Sequence, residues 1–160
     1  MTPREIDSLP DFRAAVCDAV EAAVAQRCRR LVLVDEALGP EWPLDDAALL
    51  AALTAFVRLP DRRVVLLANQ HDAVLRSCPR FMAWRQVWGH AVDPLRPADD
   101  GVRLPTLLLA DRRIALRVID RERWRGRLVG DDPEVHHLAD EVDAFAQRSE
   151  PTLGARPLGL

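Results

Sequence analysis

The chain has no lysine, and all 22 of its basic residues are arginine. That absence excludes Schiff-base chemistry and a Walker-type phosphate loop, both of which need a lysine amine. Cysteine is scarce as well. Cys17, Cys28 and Cys78 stand singly, without C-x-x-C or zinc-like spacing, and an odd count argues against a disulfide framework. Reduced thiols in a cytoplasmic protein are the simpler expectation. No apolar run approaches the ~20 residues that a membrane span requires. The opening stretch, MTPREIDSLPDF, carries acids and no apolar core, so it does not read as a signal peptide. The net charge of −3 gives no global attraction to nucleic acid or anionic membrane, and any anion binding must be local. A composition rich in Ala, Leu, Asp, Arg and Pro is usual in a GC-rich bacterial coding sequence.

What remains is ample core material. With 160 residues and 49% hydrophobic content the chain suits a single domain, expected over residues 1–151 with 152–160 as an extended tail. Asp11 to about Cys28 reads as a helix, because Phe12, Val16, Val20, Ala23 and Val24 recur at three- and four-residue spacing after Ser8, Pro10 and Asp11. Leu31-Val-Leu-Val34 and Val64-Val-Leu-Leu67 are short continuous apolar runs, the pattern of strands buried on both faces. Asp45 to about Arg58 is a second helix. His71 to Gly89 is helical with an interruption at Pro79, and Ala91-Val-Asp93 is a short strand before the loop Pro94–Gly101. Thr106–Ala110 and Ile114–Ile119 form a hairpin through a tight turn at Asp111-Arg112. Pro133 opens a last helix that Pro151 ends. Helices alternating with buried strands predict an α/β fold: a mixed, mainly parallel sheet with helices on both faces, closed by a C-terminal β-hairpin and helix.

The stretch Leu104-Pro-Thr-Leu-Leu-Leu-Ala-Asp111, followed at once by Ile114–Ile119, resembles the signature hairpin of the phospholipase D superfamily, H-x-K-x4-D on a strand that turns at the Asp. The order of elements also resembles one half of such a protein, from the first helix to Pro151. The run Phe145-Ala-Gln-Arg-Ser-Glu-Pro151 looks like the end of these domains. In that family the His attacks phosphorus, the Lys neutralises phosphoryl oxygens and the Asp orients the His. Here the His place is Leu104 and the Lys place is Thr106; only Asp111 matches. The G-S-x-N that usually follows holds Val118, Ile119, Asp120 and Arg121. The resemblance therefore implies a fold of this type without catalytic residues. It also implies pairing of two halves across the hairpin face, here enriched in Leu104, Val118 and Ile119, with Trp84 and Trp88 adding to an apolar patch. A homodimer is the expectation.

Other constellations read as structure. Leu31-Val-Leu-Val-Asp35-Glu36 resembles a Walker B strand but has no phosphate loop to serve. Glu134-x-x-His137 has the spacing of carboxylate-bridged metal sites without the second motif those need, and His136 with Asp140 and His137 with Glu141 suit i,i+4 surface pairs. His71-Asp72 resembles the pair of HD phosphohydrolases, lacks their further ligands and stands where a helix cap is expected. Cys28 among Arg27, Arg29 and Arg30 reads as a small buried hydrophobe at a helix end rather than a reactive thiolate. No metal or cofactor is expected.

Asp111–Arg127 carries seven arginines against three acids, with Trp124 in its middle, and Asp131–Glu150 carries seven acids against one arginine. Arginine forks beside an aromatic suit phosphate recognition, yet a basic hairpin facing an acidic helix is self-complementary. Strand parity across the turn would put Arg113, Arg117 and Arg121 on one face, making them the candidates for any residual anion pocket. The leading expectation is a non-catalytic binding or scaffold domain. A metal-dependent phosphoesterase using Asp35, Glu36 or His71 is one alternative, and a nucleic-acid-binding accessory protein using the arginine hairpin is another. Neither nucleic acid nor membrane is expected as a partner.

Overall fold

The computed structural model describes residues 2–152, which fold around one eight-stranded sheet. The chain runs through strand β1 (Arg4–Ile6), helix α1 (Leu9–Ala25), β2 (Arg30–Asp35), α2 (Ala47–Val57), β3 (Arg63–Ala68), α3 (Asp72–Ser77) and α4 (Pro79–Trp88). A 3-10 turn, Gly89–Ala91, leads to β4 (Val92–Pro97), β5 (Thr106–Ala110), β6 (Ile114–Asp120), β7 (Arg125–Gly130), α5 (Pro133–Gln147) and β8 (Ser149–Pro151). The strands lie in the order β1-β7-β6-β5-β2-β3-β4-β8. The tail expected over 152–160 lies, beyond Thr152, outside the described residues.

The mixed α/β class is as the sequence suggests, but the sheet is mostly antiparallel rather than mainly parallel. Only β2–β3 and β3–β4 pair in parallel, whereas β1–β7, β7–β6, β6–β5, β5–β2 and β4–β8 are antiparallel. The physical reason is that β7 and the short edge strands β1 and β8 add antiparallel pairs at the two sides of the sheet. The local pattern of these strands is too brief or too charged to announce a strand.

Local chemistry sets the helix ends. Ser8 Oγ accepts from the Asp11 amide, Asp46 from Ala48 and Asp132 from Glu134, each satisfying an orphan donor of a first turn. Helix α1 stops at Ala25, short of Cys28, and Arg27 then takes a left-handed φ of 58°. The two sheet faces carry separate cores. Helices α1, α2 and α4 cover one face over Leu31, Leu33, Leu66, Leu108 and Leu116. Helix α5 covers the other over Val32, Val34, Leu67, Leu107 and Leu109. Successive residues of β2, β3 and β5 feed alternate cores, which is why these strands read as unbroken apolar runs.

The acidic helix and the basic strands do meet. Arg112 pairs with Asp140 at 2.9 Å, Arg30 with Asp143 at 2.9 Å, and Glu134 holds both Arg117 (3.5 Å) and Arg127 (3.6 Å). Such half-exposed pairs contribute roughly 0–1 kcal/mol each, so they orient α5 more than they stabilise it. The apolar patch expected from Leu104, Val118, Ile119, Trp84 and Trp88 is not a surface patch. Leu104, Val118 and Trp84 are buried, and Trp84 donates its indole N–H to Thr54 Oγ1 at 2.9 Å. Ile119, by contrast, is 65% exposed.

Ile119 is exposed because it is the extra residue of a β-bulge, where Val118 pairs with Gly126 and Asp120 already pairs with Arg125. The bulge brings backbones together. A Cβ on Gly126 would lie 2.0 Å from Arg117 O and 2.9 Å from Val118 Cα. We expect Gly126→Ala to cost about 3 kcal/mol or more, since the obstacle is backbone and cannot rotate away. A urea-unfolding midpoint within error of the parent would show that the bulge does not need glycine.

Candidate functional site

The C-terminal ends of β2 and β6 and the N-terminal end of β5 meet at one rim of the sheet. Asp35 ends β2 and Thr106 begins β5; both point to the α1 face, and both are buried, at 2% and 8% exposure. Thr106 Oγ1 donates directly to Asp35 Oδ1, and the Leu38 amide donates to Oδ2 at 3.0 Å. Arg121 closes the group. Its Nε donates to Thr106 Oγ1 at 3.2 Å, and its Nη2 stands 3.6 Å from both Asp35 Oδ2 and Glu41 Oε1. The guanidinium lies 4.0 Å from the ring centroid of Trp124, which packs on Phe12 at 4.7 Å, and Phe12 meets Trp42 edge-on at 5.0 Å. The turn that presents Arg121 and Trp124 is fixed by Asp120, whose carboxylate accepts from the Glu122 and Arg123 amides at 3.1 and 3.2 Å. The Arg123 amide, foremost among several donors, holds the Asp120 carboxyl below its ordinary range.

Chemically this is a closed set. The threonine proton is committed to Asp35, its oxygen accepts from Arg121, and the arginine charge is balanced by two carboxylates. An incoming anion would have to displace Asp35 or Glu41 from Arg121.

The structure scatters the other residues singled out in the sequence. The Leu104 side chain packs in the α5-face core while its amide donates to Glu36 Oε2 at 2.6 Å, so Leu104 and Thr106 serve opposite faces. Asp111 lies at the far end of β5, where its carboxylate accepts from the Arg29 amide (3.0 and 3.1 Å) and the Arg30 amide (2.9 Å). The expectation that Arg113, Arg117 and Arg121 share a face does not hold. Arg113 reaches Gln26 O at the Asp111 end, Arg117 pairs with Glu134 on the α5 side, and Arg121 turns to the α1 side. The bulge at Ile119 is the cause for Arg121, because one extra residue reverses the parity of everything after it, while Arg113 belongs to the turn before β6 begins and follows no strand parity.

Glu36 accepts from Asn69 Nδ2 at 2.9 Å, which with the Leu104 contact ties the loop before β5 to β2 and β3. His71 is 5% exposed, with Nε2–H donating to Leu95 O at 2.9 Å, and burial lowers its pKa and favours the neutral ring. Asp35, Glu36 and His71 thus belong to three separate networks, and among the described residues no group of three or more His, Cys, Asp or Glu side chains is placed to hold a metal ion. Cys28 is fully buried. Burial, with the Asp111 charge next, pushes its thiol up to about 11 despite Arg113 and Arg62. One feature had no sequence signal: a polar cleft of about 410 Å³ at the ends of β2, β3 and β4, lined by Glu36, Asn69, Arg96, Asp99 and Arg103 among others.

No family model matches the chain, and no curated protein matches it. Solved structures do. TrmBL2, an archaeal chromatin protein with a novel mode of DNA binding, superposes with a TM-score of 0.62 at 10% identity, over 95% of this chain and 54% of its own. Nuc from Salmonella typhimurium, a phospholipase D family member, superposes with a TM-score of 0.61 at 10% identity, over 94% of this chain and 99% of its own. The fold is phospholipase D-like. NucT from Helicobacter pylori shares it, with a TM-score of 0.55 at 6% identity over 94% of this chain and 100% of its own. The chain thus spans about half of TrmBL2 and the full length of the other two, and identities this low carry the fold alone.

In this phospholipase D-like fold the buried Asp35 carboxylate depends on its donors. We expect Thr106→Val to cost about 1–3 kcal/mol, the penalty for leaving a buried acceptor short of a partner. Thr106→Ser, which keeps the hydroxyl, should lose less. Equal losses in chemical denaturation would mean that the methyl, not the hydrogen bond, is what matters.

Proposed function

We propose that the protein is a non-catalytic binding or scaffold domain: a phospholipase D-like fold from which the nucleophile and the phosphate-neutralising lysine have been lost. One observation carries this reading. Leu104, at the place the resemblance gives to the nucleophile, has no lone pair and is packed in the α5-face core. Thr106, at the place of the lysine, is enclosed by Asp35 and Arg121. Nucleophilic catalysis needs an activated lone pair beside a base and an electrophilic cradle, and loss of the nucleophile is not graded.

The metal-dependent alternative is less favoured, because Asp35, Glu36 and His71 each serve a different network. The hairpin arginines Arg112, Arg117 and Arg127 are equally poor candidates for nucleic acid, since each already faces an acid of α5. Self-association belongs to the same reading. It now rests on the implied pairing of halves and on Ile119, exposed at the bulge, rather than on Leu104 or Val118.

Two measurements test this. With bis(p-nitrophenyl) phosphate the protein should release nitrophenolate no faster than buffer. Robust turnover that disappears in Thr106→Val or Asp111→Ala would reverse the assignment. Light scattering at micromolar concentration should give the mass of two chains, and the mass of one chain removes the dimer while leaving the absence of catalysis in place.

A further inference from the structure

The end of the sheet opposite the Asp35 cluster is built from three loops laid side by side: Gln26–Arg30 before β2, Leu59–Arg63 before β3, and the Ala110–Arg113 turn between β5 and β6. They are stitched together through backbone. The Arg63 amide donates to Arg29 O at 2.9 Å, the Asp111 amide to Arg30 O at 3.0 Å, and the Asp111 carboxylate takes the Arg29 and Arg30 amides. Each loop turns tightly through a non-glycine residue of positive φ: Arg27 at 58°, Asp61 at 59° and Asp111 at 49°. The ledge is therefore rigid, and it is lined with arginine.

Arg27, Arg29 and Arg113 are exposed and Arg62 is half-buried, and none of the four makes an ion pair among the described residues. Arg113 is steadied by Gln26 O at 3.0 Å and Arg62 by Pro60 O at 2.6 Å. The two acids in these loops, Asp61 and Asp111, leave the four cations in excess, and the Asp111 carboxylate, though charged, is turned onto backbone amides and pairs with none of them. The other arginines of these loops are neutralised in place, Arg30 and Arg112 by α5 and Arg63 by Asp93, as Arg121 is at the opposite end by Asp35 and Glu41.

We propose that this arginine ledge docks the phosphate backbone of a nucleic acid, independently of whether the Asp35 cluster is catalytic. The loops follow the sheet order β6-β5-β2-β3, three inter-strand spacings of ~4.8 Å or about 14 Å across. A duplex carries a phosphate every ~1.7 Å of axis counting both strands, so that length brings several phosphates within reach of the four guanidinium forks. Arginine suits the task better than a point charge, because its planar fork donates to two phosphate oxygens at once. A lipid surface fits less well. Amphipathic membrane binding needs apolar side chains beside the charges, and the exposed large hydrophobics Leu75, Val87 and Ile119 lie on α3, α4 and the bulge. The expectation against nucleic acid drew on net charge and on hairpin arginines paired with α5, and the ledge escapes both grounds.

Fluorescence anisotropy with a short labelled DNA duplex tests the proposal. Four phosphate contacts imply a slope of log affinity against log salt near −3.6, or about a hundredfold weakening between ~50 and ~200 mM salt. Arg29→Gln/Arg62→Gln/Arg113→Gln should weaken binding at least ~tenfold at ~50 mM and leave a slope near −1. Arg117→Gln/Arg127→Gln, whose partners are on α5, should bind as the parent does. Arg29→Glu alone serves as a second variant, with a loss of several-fold expected, should the triple fail to give a folded protein by circular dichroism. No binding at ~50 mM salt, a flat salt dependence, equal loss in the Arg117/Arg127 variant, or preference for phosphatidylserine vesicles over DNA would each overturn it.

Discussion

A carboxylate buried in the rim of a sheet constrains everything around it. Asp35 sits where β2 delivers it, 2% exposed, and a charge in that position must be met by donors or it will not stay. The Leu38 amide meets one oxygen because the chain turns sharply after β2, and Thr106 meets the other. The remaining demand is for a cation, and β6 on its regular course would aim Arg121 at the wrong face. The bulge at Ile119 turns it round. That bulge needs the backbones of β6 and β7 to close on each other, which requires Gly126. It also throws Trp124 into a left-handed turn (φ 55°), where its ring lies against the guanidinium and rests on Phe12 of α1. A glycine, a bulge and a stack of aromatic rings thus follow from one acid.

The same dependence explains what could be read from the sequence. Helices α1, α2 and α5 are visible because their apolar stripes and caps are local, β2, β3 and β5 because burial on both faces leaves unbroken apolar runs, and β6 by its apolar residues around Arg117. Strands β1 and β8 have three residues each, too few for any period to show. Strand β7, Arg-Gly-Arg-Leu-Val-Gly, buries Gly126, Leu128 and Val129 but exposes Arg125 and sends Arg127 to Glu134, so it reads as part of a basic segment. Without those strands the sheet looked mainly parallel. Of the rim cluster, Asp35, Thr106 and Arg121 had each been singled out for unrelated reasons. Their meeting could not be, since Asp35 and Thr106 are 71 residues apart and Arg121 arrives only by way of the bulge.

Asp111 shows how one motif position can hold a different job. The resemblance made it the partner of a residue at the Leu104 place, but a full strand separates the two. Its carboxylate instead joins the turn between β5 and β6 to the start of β2. That bond lies across the junction where the chain, having laid β2, β3 and β4 in one direction, returns to the other side of β2 with opposite polarity. Neighbouring strands at such a junction share no short connection, so side-chain stitching must set their register. A retained aspartate in this hairpin is thus explained by the sheet alone and says nothing about chemistry.

The two ends of the sheet also handle charge in opposite ways. At the Asp35 end the one arginine is enclosed by two carboxylates and packed against Trp124, which rests on Phe12, so its charge is met within the cluster. At the Asp111 end the carboxylate is turned onto backbone amides and pairs with no guanidinium, and the surrounding arginines outnumber the acids. A chain of net charge −3 can therefore still present a localised positive field. Screening confines that field to about 8–10 Å at physiological salt, comparable with the width of the ledge itself. Only a ligand whose negative charges repeat on that scale gains from all four arginines at once, and a phosphate backbone meets that condition where a diffuse acidic surface does not.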